Sequence, residues 1–296
     1  MFSSTKTIIE NNNMNKKWIL LDCNYLCHRA KHATGGLSFQ NQPTGVIFGV
    51  LQSLSSFQDM LGSSNFVFCW DSKISKRKEI YPEYKANRIN AEYTPEETEL
   101  HIAFRRQMKL LRRTYLPMIG FRNIFMQKGY EADDIIASLT QTIPSTSEVV
   151  IVSSDHDLFQ CIKSNVCMHN PSTGKILTLQ GFKKLYGINP DQWADVKALA
   201  GCPTDNVKGI SGIGEKTAIK YLKGELKETT KAYINITNTK TVCQGFTNLL
   251  LVCLPYTGVN KFHLRPDQLS EAGWIQVMNK LGMKSLRKRM PFGGRR

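Results

Sequence analysis

The sequence predicts an α/β fold in which a parallel sheet is followed by a smaller helical module. Three short apolar runs each end at an aspartate and lack polar alternation, which indicates strands that are buried on both faces. Helical stretches lie between these runs, and such an alternation is typical of a doubly wound domain. After about residue 181, short helices separated by Gly and Pro replace the strands.

The predicted elements follow one another from residue 17. The predicted strands are residues 18–21, 65–70 and 148–152. The predicted helices are about Gly45 to Leu61, Pro95 to Met118 and Glu131 to Ile143, followed by a compact helical module over Leu185 to Leu222 and a weaker helical pattern over Lys223 to Asn260. We expect a flexible polar tail at residues 1–16, a sheet domain at 17–180, a helical module at 181–283 and a basic tail at 284–296.

The chain of 296 residues is strongly basic, with 39 Lys and Arg against 24 Asp and Glu and a net charge of +15. This charge favours a polyanionic partner such as nucleic acid, while an acidic membrane surface or a merely solvated surface remain alternatives. Hydrophobic residues make up 41%, which excludes a wholly disordered chain. No apolar run approaches the ~20 residues of a membrane span, and the N-terminus lacks the apolar centre of a secretory signal. We therefore expect a cytoplasmic protein, with Met14 as an alternative start.

The eight cysteines are scattered along the chain, and none forms a CxxC pair or has a histidine at zinc-site spacing. Free thiols in a reducing compartment are expected, rather than a disulfide framework or a zinc site.

Carboxylates follow the three predicted strands. Ligands of open α/β sheets bind at the carboxyl ends of the strands, so Asp22, Asp71 and Asp155 are expected to lie at one edge. A single such Asp is usually a turn former or an N-cap, which stays the alternative for each. Asp157 follows Asp155 by two residues, so in an extended chain both carboxylates face the same side. An Asx-turn with a helix N-cap is the alternative there.

A second acidic group, Glu131, Asp133 and Asp134, falls in the first turn of a predicted helix. One acid there complements the helix dipole, but three exceed what capping requires. If the acids converge, each like-charged pair at ~4 Å costs about 4 kcal/mol at an effective dielectric of 20, and neither acidic motif contains Lys or Arg. Oxygen-only ligation then predicts Mg²⁺ or Mn²⁺ as the counter-charge, and two such ions can support phosphodiester hydrolysis.

Two further segments have features of nucleic-acid binding. The glycine-rich turn from Gly209 to Gly214 precedes a predicted helix, so its backbone can approach a phosphate closely. A dinucleotide-binding loop would need a surrounding βαβ unit, and a simple helix–helix turn remains open. The basic stretch from Lys73 to Arg88 contains Tyr81 and Tyr84, which could stack on unpaired bases; a solvated charged loop is the alternative.

Four segments of the sequence resemble the motifs of the structure-specific 5′-nucleases. They are Tyr81–Arg88, Gly129–Asp134, Ser153–Leu158 and Asp205–Gly214. The family comprises flap endonucleases, the 5′-nuclease domain of bacterial DNA polymerase I and phage 5′–3′ exonucleases, sometimes called RNase H. The resemblance extends over about Trp18 to Leu222, and the chain length is most similar to phage-encoded members. It implies a PIN-like parallel-sheet nuclease domain, with an arch at about residues 73–113, followed by a helix–three-turn–helix (helix-hairpin-helix) DNA-binding module.

The resemblance also implies roles for individual residues. A first metal would be surrounded by Asp22, Asp71, Glu131, Asp133 and Asp134, and a second by Asp155, Asp157 and Asp205. Lys85 and Arg88 would act at the scissile phosphate and stabilise its developing charge, with Asp71 and Asp155 completing the catalytic set. Tyr84 would stack on a nucleotide. The duplex backbone would be held by Gly209, Gly212, Gly214 and Lys216, with a K⁺ ion at this turn.

The implied activity is that of a 5′–3′ exonuclease and flap endonuclease on branched DNA or RNA–DNA duplex ends. It would remove replication primers and leave 5′-phosphate and 3′-hydroxyl products, as a monomer that contacts a replication protein through its C-terminal region. One departure is Cys202, three residues before Asp205, where the family usually has Asp. It predicts a weaker second metal site, one-metal action or a changed ion preference. A non-catalytic scaffold for branched DNA and a phosphatase remain alternatives, although a phosphatase would need neither the glycine turn nor the +15 charge.

Overall fold

The computed structural model of the protein describes residues 16–88 and 94–293. The strands are β1 (Lys17–Asp22), β2 (Ser38–Phe39), β3 (Gln42–Pro43), β4 (Asn65–Cys69), β5 (Ile124–Phe125), β6 (Glu148–Val152), β7 (Val166–His169), β8 (Ile176–Leu177), β9 (Gly201–Cys202) and β10 (Val207–Lys208). The α-helices are α1 (Cys23–Thr34), α2 (Gly45–Leu61), α3 (Arg77–Ile80), α4 (Pro95–Leu110), α5 (Leu116–Ile119), α6 (Ala132–Thr142), α7 (Leu179–Tyr186), α8 (Trp193–Ala200), α9 (Glu215–Leu222), α10 (Lys231–Thr237), α11 (Thr239–Val252) and α12 (Glu271–Lys280). Among the described residues, no helix has the length and apolar character to cross a membrane.

The chain divides into two compact units, which do not follow the order of the sequence. In the described chain the first unit contains residues 16–70, 94–125 and 263–293, and the second contains residues 71–88 and 126–262. Helix α12 therefore belongs to the first unit, although it lies within the helical module predicted at 181–283. The predicted domain boundaries at residues 180 and 283 stay predictions.

The first unit is built on a parallel ladder of three strands. Strand β1 pairs with β4 in the register Trp18↔Asn65, and β4 pairs with β5 in the register Phe68↔Ile124. The apolar residues of β1 and β4 are buried whichever way they point. Burial on both faces explains why these strands lack alternation, and it confirms the two strands predicted here.

The helices of the first unit also agree with the local sequence pattern. Helix α2 has the predicted bounds, and α4, a π-helical turn (Leu111–Tyr115) and α5 together form the helix predicted from Pro95. Helix α4 begins with a capping box, because Thr94 Oγ1 accepts from the Glu97 N–H at 3.2 Å and Glu97 accepts from the Thr94 N–H at 2.8 Å. The predicted arch stays a prediction, and its residues 89–93 lie outside the described residues.

The basic segment after residue 283 is not a free tail as far as it is described. Leu286 and Phe292 are buried, and the Trp274 indole N–H donates to the Leu286 carbonyl at 2.9 Å. The Phe292 ring contacts the rings of Trp274 and Phe121 edge-on. These apolar anchors pack residues 284–293 of the predicted basic tail onto the first unit. Residues 294–296 and the predicted N-terminal tail up to residue 15, with Met14, lie outside the described residues.

The second unit combines a small ladder with a helical part. Strand β6 pairs in parallel with β7, and β7 pairs antiparallel with β8. The predicted strand at 148–152 and the predicted helix after Glu131 are confirmed. The helical part contains a hairpin of β9 and β10, in the register Val207↔Cys202, that the sequence analysis missed.

Close backbone packing holds this hairpin in place. A Cβ at Gly209 would lie 2.1 Å from the Ala200 carbonyl oxygen, so only glycine fits there. The Asn248 amide in α11 donates to the carbonyls of Ala198 (2.8 Å) and Lys208 (2.9 Å). Gly201 has φ +81°, which favours glycine. The hairpin thus sets the positions of two candidate ligands, Cys202 and Asp205.

Candidate metal and nucleic-acid site

The first group of acids lies at the start of helix α6 in the second unit. Asp71 Oδ1 accepts from the Ala132 N–H at 2.7 Å, in the first turn of that helix. Glu131 precedes the helix, and its Oε2 accepts from Lys85 Nζ at 2.7 Å. Asp133 occupies the second helical position and is half-buried. Burial, with the Glu131 charge, raises the pKa of Asp71 to about 6, although the Ala132 N–H and the cations of Lys85 and Arg88 act in the opposite direction.

Lys85 and Arg88, which were predicted to act at the scissile phosphate, form ion pairs with Asp205 in this structure. Arg88 is 2.8 Å from Asp205 Oδ1, and Lys85 Nζ is 3.6 Å from the same oxygen. Lys85 adopts a left-handed backbone conformation with φ +55°, and its N–H donates to the Asp205 carbonyl at 2.9 Å. Burial lowers the pKa of Lys85, but the charges of Glu131 and Asp205 outweigh it, so the net pKa is raised. Lys85 therefore joins two acidic groups that are distant in sequence.

Asp134 does not face a metal position, which corrects the role that the resemblance implied for it. Its side chain is 0% exposed, and both of its oxygens accept from the Arg77 guanidinium at 2.8 Å. The backbone N–H groups of Glu131 (3.0 Å) and Tyr256 (2.9 Å) also donate to this carboxylate. Four donors fill its acceptor positions, so Asp134 is a structural partner of Arg77.

This ion pair also corrects two inferences about charge. The predicted need for bound cations rested on the absence of Lys and Arg inside the acidic motifs. In the structure, counter-charges come from other segments: Arg77, Lys85, Arg88 and Lys197 all form ion pairs with these acids. Arg77, counted in the basic stretch, is 2% exposed and therefore does not track phosphates.

The Tyr84 ring is buried, which corrects its predicted stacking on a nucleotide. Only 2% of Tyr84 is exposed, and its ring packs with Cys202, Val207 and Leu251 in the core of the second unit. Its hydroxyl donates to Asp205 Oδ2 at 2.9 Å. Burial and the neighbouring acids raise the pKa of Tyr84, so the phenol stays protonated and positions Asp205.

The segment after β6 is helical, which corrects the extended conformation that we expected for Asp155 and Asp157. A 3₁₀-helix spans His156–Cys161, and Asp155 caps it by accepting from the Asp157 N–H at 2.9 Å. The alternative of an Asx-turn with an N-cap is thus correct, with Asp155 as the cap. Asp155 is exposed, whereas Asp157 is directed inward.

A possible metal site in the second unit is formed by Asp157, Cys202 and Asp205. One ligand atom from each lies within 4.8 Å of the others, a separation that fits a shared divalent cation. Asp157 Oδ1 is buried without a hydrogen-bond partner of good geometry in the described chain, although Lys197 Nζ lies 3.2 Å away. Burial and the Asp155 charge raise the pKa of Asp157 to about 6. Burial and the two carboxylates raise the pKa of the Cys202 thiol to about 11.

Lys197 was not predicted, because it stands in an ordinary helical stretch. The spacing of Cys and His alone predicts no zinc-like site. Cys202 lies beside the two aspartates through tertiary folding, and no local spacing signals that.

The glycine-rich turn before α9 divides into a packed half and an open half. Gly209 packs against Ala200, which gives it a structural role, and its contact with duplex backbone stays a prediction. A Cβ at Gly212, which has φ +79°, or at Gly214 would meet no atom within 4 Å in the described chain. Gly214 is the N-cap residue of α9 and has no side chain that could cap the helix. The open half is therefore the part that a phosphate can approach.

Asp22 belongs to the first unit. It ends β1, is 8% exposed, and caps α1 by accepting from the Tyr25 N–H at 3.0 Å. Its predicted place beside the acids of the second unit stays a prediction.

The raised pKa values of Asp71 and Asp157 predict that the metal-free protein loses stability as the pH rises through about 6. Each folded pKa is about 6 against an ordinary value of 3.8, so between these values the folded chain binds more protons. Their contribution to the free energy of unfolding is complete below the ordinary value and is lost as the pH rises through about 6. We expect the Tm in EDTA to fall from about pH 5 to about pH 7.5, by the equivalent of roughly 1–3 kcal/mol.

The double variant Asp71→Asn/Asp157→Asn is the control, and its Tm should vary less over the same range. Mg²⁺ should raise the wild-type Tm more at about pH 7.5 than at about pH 5, because the cation favours the charged carboxylates. Equal pH slopes in the two proteins would contradict this prediction.

Comparison with known proteins identifies the family. A family model described as 5'-3' exonuclease, N-terminal resolvase-like domain, matches residues 17–187. A 5'-3' exonuclease of Mycoplasmopsis pulmonis is 31% identical over 232 residues, which are 78% of this chain and 73% of that protein. The thermostable DNA polymerase I of Thermus thermophilus is 35% identical over 208 residues, 69% of this chain but 24% of the polymerase. The chain thus spans about a quarter of the length of the polymerases that it matches.

Solved structures agree with the fold. The bacteriophage T5 flap endonuclease, crystallised as a complex with DNA and metal ions, matches with a TM-score of 0.69 at 23% identity, covering 81% of this chain and 90% of that one. This confirms the α/β fold. Because the family model matches more than half of the chain, the protein belongs to the 5'-3' exonuclease family.

Proposed function

We propose that the protein is a divalent-metal-dependent 5′-nuclease that cleaves phosphodiesters of branched DNA or of RNA–DNA duplex ends. The observation that carries this proposal is the meeting of Asp157, Cys202 and Asp205 within 4.8 Å, with Arg88 2.8 Å from Asp205. A metal-ligand set beside cations that can bind phosphate is the arrangement that phosphodiester hydrolysis needs. Family membership and the net charge of +15 support the same conclusion.

Two groups of residues would hold the ions, with Mg²⁺ or Mn²⁺ proposed for the first. The first group is Asp71, Glu131 and Asp133, to which the resemblance adds Asp22. The second group is Asp155, Asp157 and Asp205, with Cys202. When bound, such ions supply a water of lowered pKa and offset negative charge on the phosphate.

The chain's own residues bind and orient the nucleic acid. Lys85 and Arg88 are already beside the carboxylates, so they are placed to bind the scissile phosphate and to offset its developing charge. The open half of the glycine turn, with Gly212, Gly214 and Lys216, would hold duplex backbone, and K⁺ is proposed as its ion. Release of counterions should make DNA affinity fall steeply with salt.

The biological setting is part of the proposal. The T5 enzyme, whose fold this chain shares, was crystallised with DNA and metal ions, and one relative is named DNA polymerase I. We therefore propose primer removal that leaves 5′-phosphate and 3′-hydroxyl ends, by a monomer in the cytoplasm of a cell or of a phage host. A replication protein is the proposed partner of the C-terminal region.

Cleavage of a labelled 5′-flap duplex in Mg²⁺ by wild type and by Asp155→Asn tests the function. Asparagine keeps the cap that Asp155 provides to the 3₁₀-helix and removes only the charge, so folding should be retained. We expect cleavage to fall by at least about 100-fold while flap binding persists, since a metal ligand is lost. Asp191→Asn, at an exposed acid of the same unit, is the matched control and should cleave normally.

One observation favours a second candidate, a scaffold that binds branched DNA without cleaving it. By the resemblance, Cys202 stands where the family usually has Asp, and the nearby acids are paired with cations. Flap binding by the wild-type protein with no cleavage in Mg²⁺ or Mn²⁺ would establish the scaffold and refute the nuclease. Hydrolysis of simple phosphate monoesters without flap binding would instead indicate the phosphatase.

A further inference from the structure

The cluster of Asp157, Cys202 and Asp205 differs from an ordinary magnesium site in its sulfur atom. Cys202 is 3% exposed, and its Sγ lies 3.8 Å from Asp157 Oδ2. Mg²⁺ demands oxygen ligands in a near-octahedral arrangement, whereas a thiolate selects softer cations. The donor set of this chain is therefore two carboxylates and one sulfur, which suits the zinc class of ions.

The distances fit such an ion. Zn–S bonds of about 2.3 Å and Zn–O bonds of about 2.0–2.2 Å place neighbouring sulfur and oxygen ligands about 3.6 Å apart in a tetrahedron. The observed 3.8 Å between Cys202 Sγ and Asp157 Oδ2 is close to that edge, and all three ligand atoms lie within 4.8 Å. Three protein ligands with one open position are the pattern of catalytic zinc sites.

The surroundings of the sulfur hold it in place. Cys202 belongs to strand β9 of the hairpin. The backbone just before β9 packs so closely against Gly209 that a Cβ at Gly209 would not fit. Thr204 Oγ1 lies 3.2 Å from the sulfur, where it can donate to a thiolate and orient it. Asp157 Oδ1 is buried and its only close cation in the described chain is Lys197 Nζ at 3.2 Å, so a metal ion would take the place of that lysine at this oxygen.

We propose that the second metal position of this protein binds a thiophilic divalent cation of the zinc class through Cys202, Asp157 and Asp205, and discriminates against Mg²⁺. The inference rests on the proposed function, because that function requires a metal ion at this position. It makes Cys202 the residue that sets ion specificity, while the oxygen-only first group keeps its preference for Mg²⁺.

Titration of the full-length metal-free protein with Co²⁺ tests the proposal, because Co²⁺ substitutes for Zn²⁺ and reports its ligands by absorbance. We expect a thiolate-to-cobalt charge-transfer band in the wild type that Zn²⁺ abolishes and excess Mg²⁺ does not. Cys202→Ser and Cys202→Asp should lack the band and bind Zn²⁺ more weakly, by at least about 10–100-fold. Cys253→Ser, an exposed thiol of the same unit, is the matched control and should keep the band.

A second measurement needs no variant. X-ray absorption of the Zn²⁺-loaded wild type should show one sulfur neighbour at about 2.3 Å among lighter ligands. A wild type without the charge-transfer band, a band that persists in Cys202→Ser, or a zinc site without sulfur would each overturn the proposal. If the wild type cleaves flaps in Mg²⁺ but shows no band, only this inference fails and the proposed function stands.

Discussion

Replacement of Lys85 by Met is expected to slow the cleavage of a 5′-flap duplex by about 10²–10³-fold, the effect of removing one preorganised donor from a developing negative charge. Lys85 Nζ lies 2.7 Å from Glu131 and 3.6 Å from Asp205, so it is at the acids that would hold the ions. Methionine retains much of the length and apolar volume of the side chain. The loss should therefore appear in the rate of the chemical step, measured under single-turnover conditions.

The matched control for this prediction is Lys73→Met. Lys73 is an exposed cation of the same basic stretch, so the change removes one positive charge without altering the acidic groups. We expect a slightly weaker affinity for DNA and a single-turnover rate close to that of wild type. If both variants lost activity equally, Lys85 would act only through the general positive charge of the protein.

Replacement of Arg77 by Met is expected to lower the free energy of unfolding by about 3–5 kcal/mol, because it leaves the buried Asp134 carboxylate without its counter-charge. The pair is 2% and 0% exposed, and the guanidinium holds both oxygens at 2.8 Å. Arg77 Nε also donates to the Leu251 carbonyl at 2.7 Å, so helix α11 loses a contact as well. Burial lowers the pKa of Arg77, but the Asp134 charge outweighs it, so the guanidinium remains charged.

Urea denaturation at fixed pH measures this effect, with Arg88→Met as the control. Arg88 also pairs with an aspartate at 2.8 Å, but 57% of its side chain is exposed, so its loss should cost about 1 kcal/mol or less. Arg77→Met/Asp134→Leu should recover part of the loss, since no buried charge is left unpaired. Equal stabilities of the two single variants would show that the Arg77–Asp134 pair contributes no more than a surface pair.

The strands and helices were predictable where their signal is local. The apolar runs that became β1, β4 and β6 are buried on both faces, and α2 and α6 begin and end close to the predicted residues. The hairpin of β9 and β10 was not predictable, because strands of two residues show no periodicity. Its existence depends on backbone contacts between Gly209 and Ala200 that no local pattern indicates.

The site residues, too, were predictable only in part. Asp71, Glu131 and Lys85 were predicted for one site, and the structure places them in mutual contact or electrostatic interaction in the second unit. Asp134 and Tyr84 were predicted for the same site from motif position, but burial gives both a structural role. A motif specifies which residue types are present, whereas burial decides which of their atoms a metal or a base can reach.

Motif order and composition were therefore enough to predict the family, because these signals reside in contiguous residues. The partner of each carboxylate was settled by the folded chain, as Arg77 and Asp134 show across 57 residues. Ion pairs act through space, and their strength depends on how far burial excludes water from both charges. Cys202 likewise becomes a neighbour of Asp157 and Asp205 only through tertiary folding, so the spacing of the cysteines does not predict it.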